Sequence, residues 1–181
     1  MLLKRPFWFL RHGETDWNRE NRTQGSTDIP LNDTGLRQAR DAAALLVNRD
    51  IARIIASPLQ RAVATADIVS AVLDVPVILC PDLREANFGL HEGEVMGAWF
   101  AAWVDGAVAP EGGESFAAVQ ARAIAAVNSV LADGGTPLLI GHGGFFRTVR
   151  AAMGFPASVR TPNGVPLFCA PDGEAWEMRQ S

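Results

Sequence analysis

With 181 residues, 48% of them hydrophobic, the chain is long enough to bury a substantial core and falls within the usual range for one domain, residues 1–181. A net charge of −4 and a pI near 5.3 argue against a dedicated nucleic-acid binder or a polybasic membrane-surface protein, while leaving room for a local arginine cluster that holds an anionic small molecule. Cys80 and Cys169 fit neither a disulfide framework nor a zinc ribbon and read as small core or surface residues. The opening segment turns polar at Arg11 and His12, too early for a signal peptide or a membrane span. A cytoplasmic protein with no membrane partner is the expectation.

In chain order, Phe7–Leu10 reads as a strand, and a loop from Gly13 to Leu31 follows. Asn32 is placed to cap a helix running through Leu36, Ala39, Ala43 and Leu46. Arg53–Ala56 is a second strand. Ser57-Pro58 then predicts a helix start, with serine as N-cap and proline at the first helical position. Pro76–Leu79 is a third strand, and Asn87 to Gly113 is a less regular, glycine-rich stretch. Ser115 opens a long helix that Gly134-Gly135 stops. Pro137–Ile140 is a fourth strand, Phe145–Met153 a helix closed by Gly154, and Pro166–Met178 an edge strand or hairpin. Apolar strands alternating with helices predict an α/β fold, a mainly parallel central sheet between two helical layers.

Ligands of open parallel sheets bind beyond the carboxyl ends of the strands. Here those ends carry Arg11-His12-Gly13, Ser57 to Arg61, Leu83-Arg84-Glu85 and Gly141-His142-Gly143-Gly144. Arg61 falls in the first turn of its predicted helix, where a cation is unfavourable by about 0.3–1 kcal/mol unless an anion binds there. The glycine pair after His142 likewise opens a helix whose free N–H groups suit an anion. Arginines and histidines on one sheet edge fit a phosphoryl group: guanidiniums bind its oxygens, and a neutral imidazole attacks phosphorus. A leaving alkoxide needs a proton, so a carboxylic acid is expected nearby.

The run R-H-G-E-T-D-W-N-R-E-N-R-T-Q-G-S-T-D-I-P-L-N-D-T-G-L-R-Q-A resembles the signature of the histidine phosphatase superfamily, which includes phosphoglycerate mutases and small phosphatases. The likeness continues in A-S-P-L-Q-R-A-V-A-T-A, L-R-E-A-N-F-G-L-H-E-G, G-G-E-S-F and I-G-H-G-G, in the family's order. The resemblance implies a phosphoglycerate mutase-like fold in which His12 becomes phosphorylated and Arg11, Arg61 and His142 form the phosphate pocket. It implies that Glu85 protonates the leaving group and then activates water. Asn18, Gln24, Gly25 and Gly143 match positions that line phosphate or substrate in relatives. No metal or organic cofactor is implied, and the partner is a small phosphorylated metabolite.

Mutase relatives carry a long insertion after the glutamate block, whereas only about 25 residues separate Gly89 from Gly113; the aromatic residue that mutases place after the acid is also missing from Glu85-Ala86-Asn87-Phe88. Both departures favour hydrolysis over phosphoryl return, with a mutase or a non-catalytic phospho-ligand binder as the alternatives. A zinc site on His12, His91 and His142 is rejected for want of ligand spacing and because of the flanking arginines. His91 reads as a surface or pocket-wall residue. Arg37, Arg40, Arg147 and Arg150 read as solvated helix faces, and Trp99 and Trp103 as core or as shapers of the substrate mouth.

Overall fold

The computed structural model describes residues 1–181. Four parallel strands, β1 (Phe7–Arg11), β2 (Arg53–Ala56), β3 (Val77–Leu79) and β4 (Pro137–Gly141), pair in the order β3-β2-β4-β1. The chain's last segment adds β5 (Pro166–Asp172) and β6 (Ala175–Gln180) as an antiparallel hairpin on the far side of β1. The six helices are α1 (Asp16–Arg19), α2 (Asp33–Leu46), α3 (Gln60–Leu73), α4 (Ala98–Val104), α5 (Phe116–Ala132) and α6 (Gly143–Ala152). None of them is long and apolar enough to cross a membrane.

Strand side chains point alternately to the two faces, so each apolar strand feeds two cores. Trp8, Leu10, Ile54 and Leu138 pack against the alanine-rich faces of α2 and α3. Phe7, Phe9, Ile55 and Leu139 pack against α5 and α6, where Phe9 stacks on Phe146 with centroids 3.8 Å apart. The result is a three-layer α/β/α sandwich, as the alternating pattern predicts. Asn32 caps α2 through a bond accepted from the Gly35 N–H, and Ser115 caps α5 through one from Ala118.

Parallel pairing brings the carboxyl ends of β1, β2 and β4 side by side, with Arg11 opposite Gly141 and Ala56 opposite Ile140. Just beyond β1, Gly13 meets the first turn of α2. A Cβ on Gly13 would stand 2.3 Å from the Gly35 carbonyl oxygen, and one on Gly35 would stand 2.1 Å from that of Glu14. The two backbones therefore touch where only glycine fits on both sides. This contact fixes the direction in which the chain leaves β1, and with it His12.

Three sequence expectations are corrected. Ser57 does not cap α3: the helix begins at Gln60 with Leu59 as N-cap and no side-chain cap bond, because the Ser57 hydroxyl is engaged with His142. The stretch between Asn87 and Gly113 contains α4 and a 3₁₀ turn at Gly89–His91; its aromatic face, rather than helical caps, holds it in place. Arg37 and Arg40 are exposed as expected, but Arg150 is buried and Arg147 half-buried, since α6 turns Arg150 toward Met178 and Arg147 into a cleft wall.

Candidate active site

His12 follows β1 directly, and its backbone N–H continues the ladder to the Gly141 carbonyl at 3.0 Å. Its Nδ1 lies 2.7 Å from the Gly13 carbonyl oxygen. A carbonyl only accepts, so Nδ1 carries the proton and Nε2 keeps a lone pair. Burial lowers the ring's pKa well below 6.5, and Arg61 and Arg11 lower it further; the Gly13 bond opposes them only in part. The imidazole is therefore neutral at pH 7, with its nucleophilic nitrogen free.

His142, the N-cap of α6, is completely buried, its ring centroid 5.2 Å from that of His12. Its Nε2 lies 2.7 Å from Ser57 Oγ, and Ser57 Oγ accepts a weaker bond from the Leu59 N–H at 3.3 Å. The direction of the Ser57–His142 bond follows the ring tautomer, and the nitrogen turned away from Ser57 is Nδ1. That Nδ1 has no partner in the protein, and burial followed by Arg61, His12 and Arg11 holds the ring neutral. Ser57→Ala is expected to lower kcat/KM for phosphate-ester hydrolysis about tenfold with the fold intact, since losing a bond to a buried polar group costs about 1–3 kcal/mol. Steady-state rates at pH 7 check it; a change below twofold would mean that the Ser57 bond plays no part in positioning the ring.

Arg11 and Arg61 are both buried. Burial lowers each guanidinium to about 10, with Glu85 the largest opposing influence in both, so both stay charged at neutral pH. Arg11 Nη1 donates to the Thr161 carbonyl at 2.8 Å. Arg61 donates from Nη1 to the Thr27 carbonyl and from Nη2 to the Gly25 carbonyl, at 3.0 and 2.8 Å. These bonds fix both forks, yet the Nε of each lacks a partner. The α3 N-terminus does not wait for a foreign anion, contrary to the sequence expectation: Asp28 Oδ1 accepts from the Gln60 N–H at 2.9 Å and stands 3.9 Å from Arg61.

The α6 N-terminus is likewise already supplied with a charge. Glu85 accepts from the N–H groups of Gly144 and Phe145, at 2.8 and 2.6 Å, and from its neighbour Ala86 at 2.9 Å. The anion at that helix end is therefore the protein's own carboxylate. A Cβ on Gly144 would stand 2.7 Å from Glu85 Oε1, which accounts for the second glycine of I-G-H-G-G. Of the neighbouring acids, Glu114 pairs with Arg122 at 2.9 Å, and Glu92 closes the loop around Ser26 and Thr27. Glu85 is the one carboxylate that lines the cleft.

The cleft has a volume of about 80 Å³ and is lined by Arg11, Asn18, Gln24, Glu85 and Gly143 among the expected residues. His12, Arg61 and His142 are not among the lining residues; all three are buried. Asn18 has two roles: its side chain completes the capping box of α1 with Thr15, and it also faces the cleft. Gln24 Oε1 accepts from Thr15 Oγ1 at 2.7 Å, and its Nε2 is left without a partner. Gly25 does not line the cleft; it packs between Glu92 and the Ala86 carbonyl and offers its own carbonyl to Arg61. Gly143 leaves room for the Arg11 guanidinium, which a Cβ would meet at 3.2 Å.

Sequence reasoning missed the loop after α6. Asn163 Nδ2 donates to the His12 carbonyl at 2.9 Å and to Asn18 Oδ1 at 3.1 Å, and the Gly164 N–H donates to the Arg11 carbonyl at 3.0 Å. Arg160 and Thr161 of the same loop, with Arg147, Phe100 and Met96, complete the cleft wall. Trp103 is fully buried, with its indole N–H on the Glu114 carbonyl, so Phe100 rather than the tryptophans shapes the mouth. His91 stacks on Trp99 at 4.1 Å and binds Glu94, supporting the aromatic cluster behind the wall. No group of three or more His, Cys, Asp or Glu side chains is placed to hold a metal ion.

Arg11 Nε, Arg61 Nε and Gln24 Nε2 are thus three buried donors without acceptors, and His142 Nδ1 is a fourth buried nitrogen without a partner, close to the neutral His12 ring. A family model described as histidine phosphatase superfamily (branch 1) matches residues 7–163. The chain belongs to this superfamily. It is 45% identical over 84 residues to an uncharacterized phosphatase, PhoE, of Bacillus subtilis (strain 168), a match covering 46% of this chain and only 44% of that protein. It is 38% identical over 149 residues to a probable phosphoglycerate mutase, GpmB, of Proteus mirabilis (strain HI4320), covering 75% and 68% of the two chains. A mycobacterial glucosyl-3-phosphoglycerate phosphatase solved with VO3 superposes with a TM-score of 0.84 at 29% identity, covering 97% of each chain. Membership accounts for the R-H-G, S-P-L-Q-R-A and G-H-G-G blocks together, and the two relatives named as phosphatases support a hydrolase.

Proposed function

We propose that the chain hydrolyses phosphate monoesters through a phosphohistidine on His12. The observation that carries this reading is the set of four unpartnered buried nitrogens, three of them N–H donors, gathered at the same strand ends as a neutral histidine. Orphaned buried polar groups are costly and rare in folded proteins, and an oxyanion satisfies the three donors at once, and His142 as well when its proton is on Nδ1. The phosphoryl oxygens bind Arg11, Arg61, Gln24 and the His142 Nδ1–H, which spread the charge that develops in the transition state. His12 Nε2 attacks phosphorus, the P–O ester bond breaks, and the leaving oxygen takes a proton from Glu85. Water then attacks the phosphohistidine as Glu85 takes back a proton, and the P–N bond breaks to release inorganic phosphate.

Three backbone N–H groups fix the Glu85 carboxyl at the cleft lining, where it is placed to exchange a proton with the leaving oxygen and with water. The curated mutase relative makes phosphoryl return the competing outcome. Incubation with 3-phosphoglycerate separates the two: inorganic phosphate as the main product is expected, with an aryl phosphate hydrolysed at the same rate with or without chelator. Isomerised phosphoglycerate as the main product would assign a mutase. Loss of activity in chelator would remove the histidine route altogether.

A further inference from the structure

The loop after α6 reaches the end of β1 through one amide. Asn163 Nδ2 lies 2.9 Å from the His12 carbonyl oxygen, 3.4 Å from that of Gly13 and 3.1 Å from Asn18 Oδ1. Backbone carbonyls only accept, so the atom facing them is the NH2 of Asn163, and its polarity is not open to choice. The loop is pinned on both sides of Asn163 without help from that side chain. Arg11 Nη1 donates to the Thr161 carbonyl at 2.8 Å, and the Gly164 N–H donates to the Arg11 carbonyl at 3.0 Å. Gly164 has a φ of 66°, and a Cβ there would stand 2.6 Å from Gln38 Cβ, so glycine is required where the loop turns back to the sheet.

Polarity passes from Asn163 to two amides of the cleft lining. One atom of the Asn18 amide receives both the Asn163 NH2 and the Thr15 backbone N–H, at 3.1 and 3.2 Å. Two donors can share only an acceptor, so that atom is the Asn18 oxygen, and the Asn18 NH2 points the other way. It meets Gln24 at 3.4 Å. The Thr15 hydroxyl lies 2.7 Å from the same Gln24 atom but decides nothing, because a hydroxyl can donate or accept. The Asn18 NH2 can only donate, so Gln24 turns its oxygen toward Asn18 and Thr15. What remains is Gln24 Nε2, buried and without a partner, on a residue that lines the cleft.

Building on the phosphohydrolase reading, we infer that Asn163 is a positioning residue that sets the polarity of the anion pocket. Through Asn18 it turns the Gln24 amide so that an N–H, and not a carbonyl oxygen, is offered to the phosphoryl group. The same NH2 holds the carbonyls of His12 and Gly13, the second of which accepts from His12 Nδ1 at 2.7 Å. Asn163 itself does not line the cleft, so it acts through these neighbours. A free glutamine presents either end of its amide, and the reversed amide would set an oxygen against an oxyanion. Successive hydrogen bonds in such a chain polarise one another, which ties the last amide to the first.

Calorimetric titration with inorganic phosphate through a double-mutant cycle tests this. Asn163→Ala is expected to weaken phosphate binding about tenfold, the scale set by one lost bond to a buried polar group, and to raise KM for an aryl phosphate in step. In an Asn18→Ala background the middle link is already gone, and the same change is expected to cost about twofold or less. Thermal melts establish that each variant is folded at the assay temperature; should Asn163→Ala melt below it, Asn163→Ser takes its place in the cycle. Equal losses of phosphate affinity in the two backgrounds, or wild-type affinity in folded Asn163→Ala, overturn the relay and leave phosphate-ester hydrolysis standing. Coupled losses in a protein that hydrolyses no phosphate ester would retain the relay and defeat the phosphohydrolase reading instead.

Discussion

His12→Ala is expected to lower kcat/KM for any accepted phosphate ester by at least about 10⁴-fold, the scale on which removing a covalent nucleophile acts. The expectation rests on the His12 lone pair. Nδ1 is tied to the Gly13 carbonyl at 2.7 Å, so Nε2 is the atom that attacks; His142 has its Nε2 engaged with Ser57 Oγ, and the remaining nitrogens belong to guanidiniums and amides. Wild-type protein quenched during turnover should carry a phosphoryl adduct, and the variant should not. Because His12 is buried, thermal melts of His12→Ala and of the larger His12→Asn separate lost chemistry from lost folding. A folded variant keeping activity within tenfold of wild type would mean that water attacks the ester directly.

The second large effect is on stability and follows from the same burial. His12 and His142 are held neutral, their pKa values pushed well below 6.5 by burial first and by the arginines next. In the unfolded chain both titrate near 6.5. The unfolded state therefore binds protons first as pH falls, and the folded state loses ground to it. Stability is fully present above about pH 6.5 and declines below it, by about 1.4 kcal/mol per pH unit for each histidine and about 2.7 for the pair. Between pH 6.5 and 5 this amounts to a few kcal/mol, a large part of a typical domain's stability. Glu114 contributes only at lower pH: burial alone would raise it, but bonds from Arg122 outweigh that and hold it below 4.5. Urea titrations across pH 5–8 measure the slope. Phosphate in the buffer should flatten it, because an anion in the pocket favours protonated rings, and His12→Ala should halve it. A flat profile between pH 7 and 5 would show that the rings are charged or solvated in the folded state.

Much of the architecture was legible in the chain. Asn32 and Ser115 announce their helices because capping is a local bargain between one side chain and the backbone two or three residues on. The alternating β and α runs predict parallel strands because a strand covered on both faces is apolar throughout. Where local and tertiary demands compete, the sequence misleads. Ser57-Pro58 has the form of a helix start, yet the serine hydroxyl goes to a histidine 85 positions away, and the helix begins two residues later than Pro58. Arg150 has the form of a solvated helix charge, yet it is buried under the C-terminal hairpin, with Met178 as its neighbour.

The sequence by itself determined the strand-end set of Arg11, His12, Arg61, Glu85 and His142, because a parallel sheet delivers the residues after each strand to one edge whatever the rest of the chain does. Only the tertiary structure decided how each is used. The neutral state of both histidines, the carboxylate of Glu85 on a helix end where a foreign anion was expected, and the presence of Arg147 and Arg160 in the cleft wall all depend on contacts between residues far apart in the chain. Such contacts carry no periodicity and no local spacing, and they exist only once the loops after α6 and around α4 have closed over the sheet edge.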